Sequence, residues 1–277
     1  MNIKAVLDLS EPVVMGILNV TPDSFSDGGR YSRLETALSH TRKMISEGAS
    51  IIDIGGESTR PGATAVTADE ELERVIPVIE SIRKETAIPI SIDSSKARVL
   101  REAVGAGANI INDVRALQQE NALQTAAELD VPVCLMHMQG QPREMQQTPT
   151  YQNVLSEVLV FLKMRLAACQ QAGISQDKII IDPGFGFGKK LEHNLQLFNH
   201  LAEFKSMDVP IMIGVSRKSM INTLLDLPVE ERLAASLAMA GLAVWLGASI
   251  IRAHDVEQTV HAVKMISAIK KANKNDE

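Results

Sequence analysis

Residues 50–54 read Ser50-Ile51-Ile52-Asp53-Ile54 and run directly into Gly55-Gly56. The run is β-branched and almost unbroken, it is too short for a helix, and glycines close it. That is the pattern of a strand covered on both faces, as in a parallel sheet. Its one polar residue, Asp53, comes near the end. The same pattern recurs at Val13–Leu18, Ile88–Ile92, Asn109–Ile111, Val131–Met136, Lys178–Ile181, Pro210–Val215 and Ser249–Ile251, which makes eight candidate strands.

The stretches between them carry helical periodicity. Arg33–Glu47 places Leu34, Ala37, Leu38, Thr41, Met44 and Ile45 near one face and stops at Gly48. Asp69–Thr86 does the same despite Pro77, and Ser94 is placed to cap a helix running to Gly105. Further helices are expected over Tyr151–Gln171, Leu191–Lys205, Glu231–Leu246 and Val256–Lys270. Strands alternating with helices in a chain of 277 residues predict an α/β fold, a single (β/α)8 TIM barrel. An open doubly wound sheet would want a Gly-rich phosphate turn after its first strand, and Gly16-Ile17-Leu18-Asn19 does not supply one. The expected organisation is a short N-terminal extension over 1–12 that leads into the barrel and covers its bottom, a barrel over 13–270, and a charged tail over 271–277.

Composition narrows the functional classes. A net charge of −6 and 3% aromatic residues argue against a nucleic-acid partner. Two cysteines, Cys134 and Cys169, make neither a disulfide framework nor a metal cluster, which fits a reducing, cytoplasmic compartment. Leu233–Ile251 is uncharged and reaches the length of a membrane span. Its alanines, serines and the Gly247-Ala248-Ser249 break instead predict a buried helix followed by a strand, with no membrane partner.

In a barrel of this kind the active site lies at the C-terminal ends of the strands. Here those ends read Asn19, Asp53, Asp93, Asn112-Asp113, His137, Asp182, Ser216-Arg217-Lys218 and Arg252-Ala253-His254. Any one could be a turn or cap residue. Eight polar ends converging on one rim, acidic groups facing basic ones, suit a polar heterocycle beside an anion. Three loops add to this. Thr21–Gly29 is polar with one phenylalanine, Phe25. Gly55–Gly62 offers glycines, hydroxyls and Arg60 to an oxyanion. Asp182–Lys189, Asp-Pro-Gly-Phe-Gly-Phe-Gly-Lys, lets backbone approach a ligand, but Lys189 stands where a dinucleotide fingerprint needs glycine.

Taken together, Gly16–Gly29, Asp53–Gly62, Ile92-Asp93-Ser94, Ile111-Asn112-Asp113, Asp182–Lys189, Gly214–Ser219 and Arg252-Ala253-His254 resemble the dihydropteroate synthase family of pterin-binding enzymes. The resemblance runs in order along nearly the whole chain. It implies a homodimeric transferase of folate biosynthesis, inhibited by sulfonamides, that joins 6-hydroxymethyl-7,8-dihydropterin diphosphate to 4-aminobenzoate with Mg2+ assisting. It further implies pterin contacts from Asp93, Asn112, Asp182 and Lys218, and diphosphate contacts from Thr59, Arg60, Arg252, Ala253 and His254. Aminobenzoate would meet Phe25, Pro61, Phe187, Lys218 and Ser219; Asp53, Ser58 and Gly214 complete the rim, and Asn19 helps ligate Mg2+. Two alternatives are a methyltetrahydrofolate-binding methyltransferase and a non-catalytic pterin-binding paralogue. The first should lack the Thr59–Gly62 anion loop and the Arg252/His254 pair. The second should have lost a residue such as Lys218 or Arg252. All are present.

Overall fold

The computed structural model describes residues 3–6, 8–21, 30–58, 66–140, 145 and 148–272. Along the chain run α1 (Ile3–Val6), β1 (Val13–Asn19), α2 (Arg30–Ser46), β2 (Ile51–Gly55), α3 (Ala68–Glu85), β3 (Ile90–Asp93), α4 (Ala97–Gly105) and β4 (Ile110–Asp113). Then come α5 (Ala122–Leu129), β5 (Val133–Met136), α6 (Val154–Gln171), β6 (Ile179–Asp182), α7 (Leu191–Asn199), β7 (Met212–Ile213), α8 (Ser219–Leu225), α9 (Leu233–Leu246), β8 (Ile250–Ala253) and α10 (Val256–Ala272). Every strand pairing is parallel, in the order β6-β5-β4-β3-β2-β1-β8-β7. The remaining seam, between β6 and β7, is bridged by Ile181 and Ile211, with the Ile181 N–H donating to the Pro210 carbonyl at 3.0 Å. The eight expected strands are all present and close into the (β/α)8 barrel.

Alternation along each strand sets where the site forms, because successive side chains point to opposite faces. Outward residues such as Ile52, Ile54, Ile90, Ile92, Ile111, Val133, Leu135, Ile179 and Ile181 pack beneath the helices. Inward residues at the N-terminal end, Met15, Ile51, Ile110, Cys134, Ile180, Met212 and Ile250, form a separate apolar layer. Ile3 of α1 is buried against that layer, with Val6 and Leu9 beside it, so the N-terminal residues cover the barrel's bottom. The next inward positions up the strands are Asp53, Asp93, Asn112, Asp182 and Arg252. The barrel is therefore apolar at its base and polar at its mouth, a contrast hidden in the sequence by the continuous outward isoleucines.

Four local expectations change. Ser94 does not cap α4: its hydroxyl accepts from the Lys96 N–H at 3.3 Å, an ST-type turn one step early, and the helix starts at Ala97. The helix expected over Leu191–Lys205 ends at Asn199 and continues as a 3-10 stretch over Leu201–Met207. α5, eight residues rich in alanine, completes the repeat after β4 although its short pattern announced no helix. The Glu231–Leu246 helix begins at Leu233, behind the separate short α8.

Candidate active site

A charge cluster sits across the barrel mouth. The Arg252 guanidinium, from β8, donates through Nε to Asp53 Oδ2 at 2.7 Å and through Nη2 to Asp93 Oδ2 at 3.0 Å. Asn112 Nδ2 donates to the same Asp53 carboxylate at 3.3 Å. Asp53 is not a rim residue as its place in the sequence suggested. It lies two positions below the end of β2, fully buried, where it anchors Arg252 and Asn112. Burial raises Asp93 to about 7, the neighbouring Asp53 charge adds to the rise, and Arg252 opposes it. Burial is also the largest single influence on Arg252 and disfavours its charge, but Asp53 and Asp93 together overcome it and leave the arginine firmly protonated.

Asp182 closes the far side of the mouth. Its Oδ1 accepts from the Gly184 N–H at 2.7 Å, which fixes the carboxylate at the end of β6. Burial raises its pKa, against the Gly184 hydrogen bond and the charges of Lys218 and Lys189. Lys218 stands with Nζ 4.0 Å from the centre of the Phe187 ring, a cation–π contact. Burial and then the Arg252 charge lower Lys218 to about 8, with Asp182 and Asp93 pulling the other way. Ser219 begins α8 with Lys218 at its cap position.

The β7 and β8 loops are locked together. Arg217 adopts φ 56°, its N–H donates to Ser236 Oγ at 2.9 Å, and its guanidinium forks onto Asp255 at 2.9 and 2.5 Å. This sets Lys218 beside the mouth. His254 hydrogen-bonds Ser216 Oγ at 3.2 Å through both its backbone N–H and Nδ1. Crowding by the rim, then the charges of Arg252 and Arg217, lower it to about 4. Gly214 stays open toward Arg252, whose Cβ would lie 3.9 Å from a methyl placed there. The Ala253 methyl is buried in the strand–helix core, so only its backbone faces the rim.

Two expected strand-end groups turn away from the mouth. Asp113 is buried and organises its own loop, accepting from the Arg115 and Leu117 N–H groups at 2.8 Å each and from the Ser95 hydroxyl. His137 faces Lys189. Ser58 is the last described residue before the anion loop; Thr59, Arg60 and Pro61, and likewise Phe25, lie outside the described residues. Sequence reasoning missed Glu57. Its carboxylate accepts from Lys96 Nζ at 2.5 Å and from the Val66 N–H at 3.3 Å, so it ties the two ends of that loop to α4. It also missed Ile17 and Met136, buried inward residues at the level of the polar cluster. Their signal was positional: Ile17 lies one alternation step below the polar strand end Asn19, and Met136 pairs in register with Asp182.

Among the described residues no three His, Cys, Asp or Glu side chains form a metal cage. The Asn19 amide oxygen is a hard oxygen donor of the kind that Mg2+ would accept beside phosphate oxygens and water. Magnesium keeps several waters and favours oxygen. Asn19 Oδ1 lies on the Asp93 side of the rim, 3.9 Å from where a methyl on Gly55 would stand.

A (β/α)8 barrel whose mouth presents buried carboxylates, an amide and two cations is that of an enzyme for a hydrogen-bonding heterocycle carrying an anion. The sequence model of the family described as pterin binding enzymes matches residues 15–254. Dihydropteroate synthase of Escherichia coli K12 is 54% identical over 269 residues, covering 97% of this chain and 95% of that protein. Among solved structures, the Yersinia pestis dihydropteroate synthase in complex with a sulfonamide drug superposes with TM-score 0.91 at 50% identity, covering 96% of each chain. The Xanthomonas albilineans enzyme in complex with 7,8-dihydropteroate superposes with TM-score 0.85 at 43% identity, covering 95% of each chain. The chain belongs to the dihydropteroate synthase family.

Proposed function

We propose that this chain condenses 6-hydroxymethyl-7,8-dihydropterin diphosphate with 4-aminobenzoate, releasing diphosphate and 7,8-dihydropteroate. The observation that carries the proposal is the cluster of Asp93, Asn112, Asp182, Lys218 and Arg252 at one barrel mouth, Asn112 and Asp182 buried and the others half-buried, in a chain 54% identical to a dihydropteroate synthase. Asp182, held in place by Gly184, accepts from the exocyclic amine and adjacent ring N–H of the pterin. Charge-assisted bonds of this kind contribute about 1.5–3 kcal/mol each. Asn112 both donates to and accepts from the ring, Asp93 accepts from a further ring nitrogen, and Lys218 donates to the carbonyl side.

The diphosphate lies toward His254 and the remaining donor edge of Arg252, with Thr59 and Arg60 on the loop after β2. Asn19 would help hold Mg2+, which when bound would supply positive charge beside the diphosphate oxygens. As the C–O bond breaks, positive charge develops on the pterin methylene and ring, and the Asp93 and Asp182 carboxylates favour it. Binding of an anion beside His254 draws that imidazole toward its protonated form. Aminobenzoate attacks through its neutral amine, its ring among Phe25, Pro61, Phe187 and the Lys218 stem and its carboxylate near Ser219. The attacking nitrogen is already nucleophilic, so no strong base is required: the proton it sheds once the N–C bond has formed passes to the released diphosphate or to water.

The test is diphosphate release from the dihydropterin diphosphate. Release that depends on aminobenzoate and Mg2+ and yields dihydropteroate supports the reading. Release indifferent to aminobenzoate refutes it in favour of a hydrolase.

The working form is proposed to be a cytoplasmic homodimer. Leu242 and Trp245 of α9 and Met265 and Ile269 of α10, two helices packed side by side, are all exposed, an apolar surface that a second copy would cover. Both cysteines are free and buried, and among the described residues no helix is long and apolar enough to cross a membrane. Sedimentation at micromolar concentration, with Trp245→Glu as the control, decides the dimer: an unchanged dimer in the variant refutes this face.

A further inference from the structure

Lys189 is 2% exposed, and its ammonium is consumed within the protein. Nζ donates to the Gly184 carbonyl at 2.9 Å and the Phe187 carbonyl at 3.1 Å, and meets His137 Nδ1 at 2.9 Å, with the His137 carbonyl farther off at 3.4 Å. An ammonium has three N–H donors, and three good acceptors surround this one. His137 can be the third because burial, reinforced by the Lys189 charge, holds its ring neutral and lowers its pKa to about 2.

The two residues that Lys189 holds each support part of the mouth. Gly184 donates its N–H to Asp182, and the Phe187 ring lies beneath Lys218. The loop is also pressed against the segment leaving β5. A methyl on Gly184, at φ +73°, would stand 1.8 Å from the His137 carbonyl oxygen, and one on Gly188, at φ +60°, 2.2 Å from the Gln139 oxygen. The Gly184 carbonyl also accepts from the Phe187 N–H at 3.2 Å, and two further loop carbonyls have side-chain partners of their own. Tyr151 Oη donates to Gly188 at 2.7 Å and Asn194 Nδ2 to Lys189 at 3.2 Å. Lys189 alone therefore supplies side-chain donors to Gly184 and Phe187 among the described residues.

We propose that Lys189 is a positioning residue for the reaction: by fastening Gly184 and Phe187 to the end of β5, it holds the Asp182 carboxylate for the pterin edge and the Phe187 ring for aminobenzoate. This rests on the function proposed above and assigns Lys189 no contact with substrate. Its second contribution is electrostatic. A buried cation behind Asp182 helps keep that carboxylate ionised, and Asp182 in turn offsets part of the burial that lowers Lys189 to about 7.

The experiment compares wild type with Lys189→Met, which keeps the stem and removes the donors and the charge. Concentrations are normalised to folded protein by denaturant titration. Calorimetry with 6-hydroxymethylpterin and with diphosphate reads the two halves of the mouth separately. Lys189→Met should bind the pterin at least tenfold more weakly and raise KM for aminobenzoate at least tenfold, while diphosphate affinity stays within twofold. A merely structural role would lower the folded fraction and leave these constants alone, or weaken diphosphate in parallel. Either result overturns the proposal. If the methionine variant does not fold, Lys189→Gln, which keeps an N–H2 donor, is read against the same thresholds. A wild type that binds pterin but forms no dihydropteroate would refute the proposed function, and the pterin calorimetry would still decide the role of Lys189.

Discussion

Replacing Arg252 with methionine should turn the barrel mouth into a pair of uncompensated carboxylates. Arg252 is the cation joined to both Asp53 and Asp93, and Asp53 is fully buried. Removing one partner of a buried, hydrogen-bonded ion pair costs about 3–5 kcal/mol, because the remaining charge is left in a medium that cannot solvate it. For a chain of this size each kcal/mol moves the thermal midpoint by roughly 2–4 °C, so a fall of roughly 6–20 °C is expected at pH 8. The loss must depend on pH. Asp93 has its folded pKa raised to about 7, so the folded state keeps a proton that the unfolded chain releases. Such a group takes stability away as pH climbs from about 4 to its folded pKa, and the loss levels off above it. Without Arg252 that pKa rises further and the decline extends to higher pH. At pH 5 the carboxylate is protonated and the deficit should shrink to under half. Scanning calorimetry of wild type, Arg252→Met and Arg252→Met/Asp53→Asn at pH 5 and pH 8 tests this. The double variant should recover part of the midpoint at pH 8, since one of the two stranded charges is gone. An equal deficit at both pH values, or no recovery in the double variant, would refute the electrostatic account and leave lost packing as the cause.

Asp182→Asn should weaken 6-hydroxymethylpterin binding by about 1.5–3 kcal/mol, because an amide presents a donor to one of two ligand donors; calorimetric affinity within twofold of wild type would rule this out. The kcat/KM for the pterin substrate should peak between pH 7 and 8. It falls below as Asp93 takes up a proton and above as Lys218, lowered to about 8, loses one, with both limbs belonging to a coupled set. A flat profile from pH 6 to 9 would count against both assignments. Gly184→Ala should abolish pterin binding, since no relaxation short of moving the β5 exit accommodates a methyl 1.8 Å from the His137 oxygen at a positive φ; wild-type binding by that variant would show that the loop is not pressed there.

The barrel was legible because its strands announce themselves twice, once by isoleucine runs and once by the polar residue that ends each one. What the sequence could not resolve was which polar residues face inward. Asp113 follows Asn112 directly, and alternation alone sends one to the mouth and the other beneath the helices. His137 looked like a further rim group, but the long reach of Lys189 draws it into the loop support. Asp53 looked like a strand end, yet hydrogen bonding carries β2 on to Gly55. The α5 helix was missed because eight residues do not cover enough turns for periodicity to stand out. Glu57, too, partners a residue far along the chain, and no local pattern announces such a pairing.

The seam between β6 and β7 is the thinnest join in the barrel wall, since β7 has two residues in its ladder and a single bridge meets β6. Asp182 stands at the top of one side of that join, and Lys218 follows the strand on the other. A heterocycle hydrogen-bonded to both would span the join as a rivet spans two plates. Substrate would then be a component of the wall that surrounds it. Slowed amide exchange at Ile181 and Ile213 on pterin binding, out of proportion to any change on the opposite wall at β2 and β3, would be the signature of a barrel completed by its own ligand.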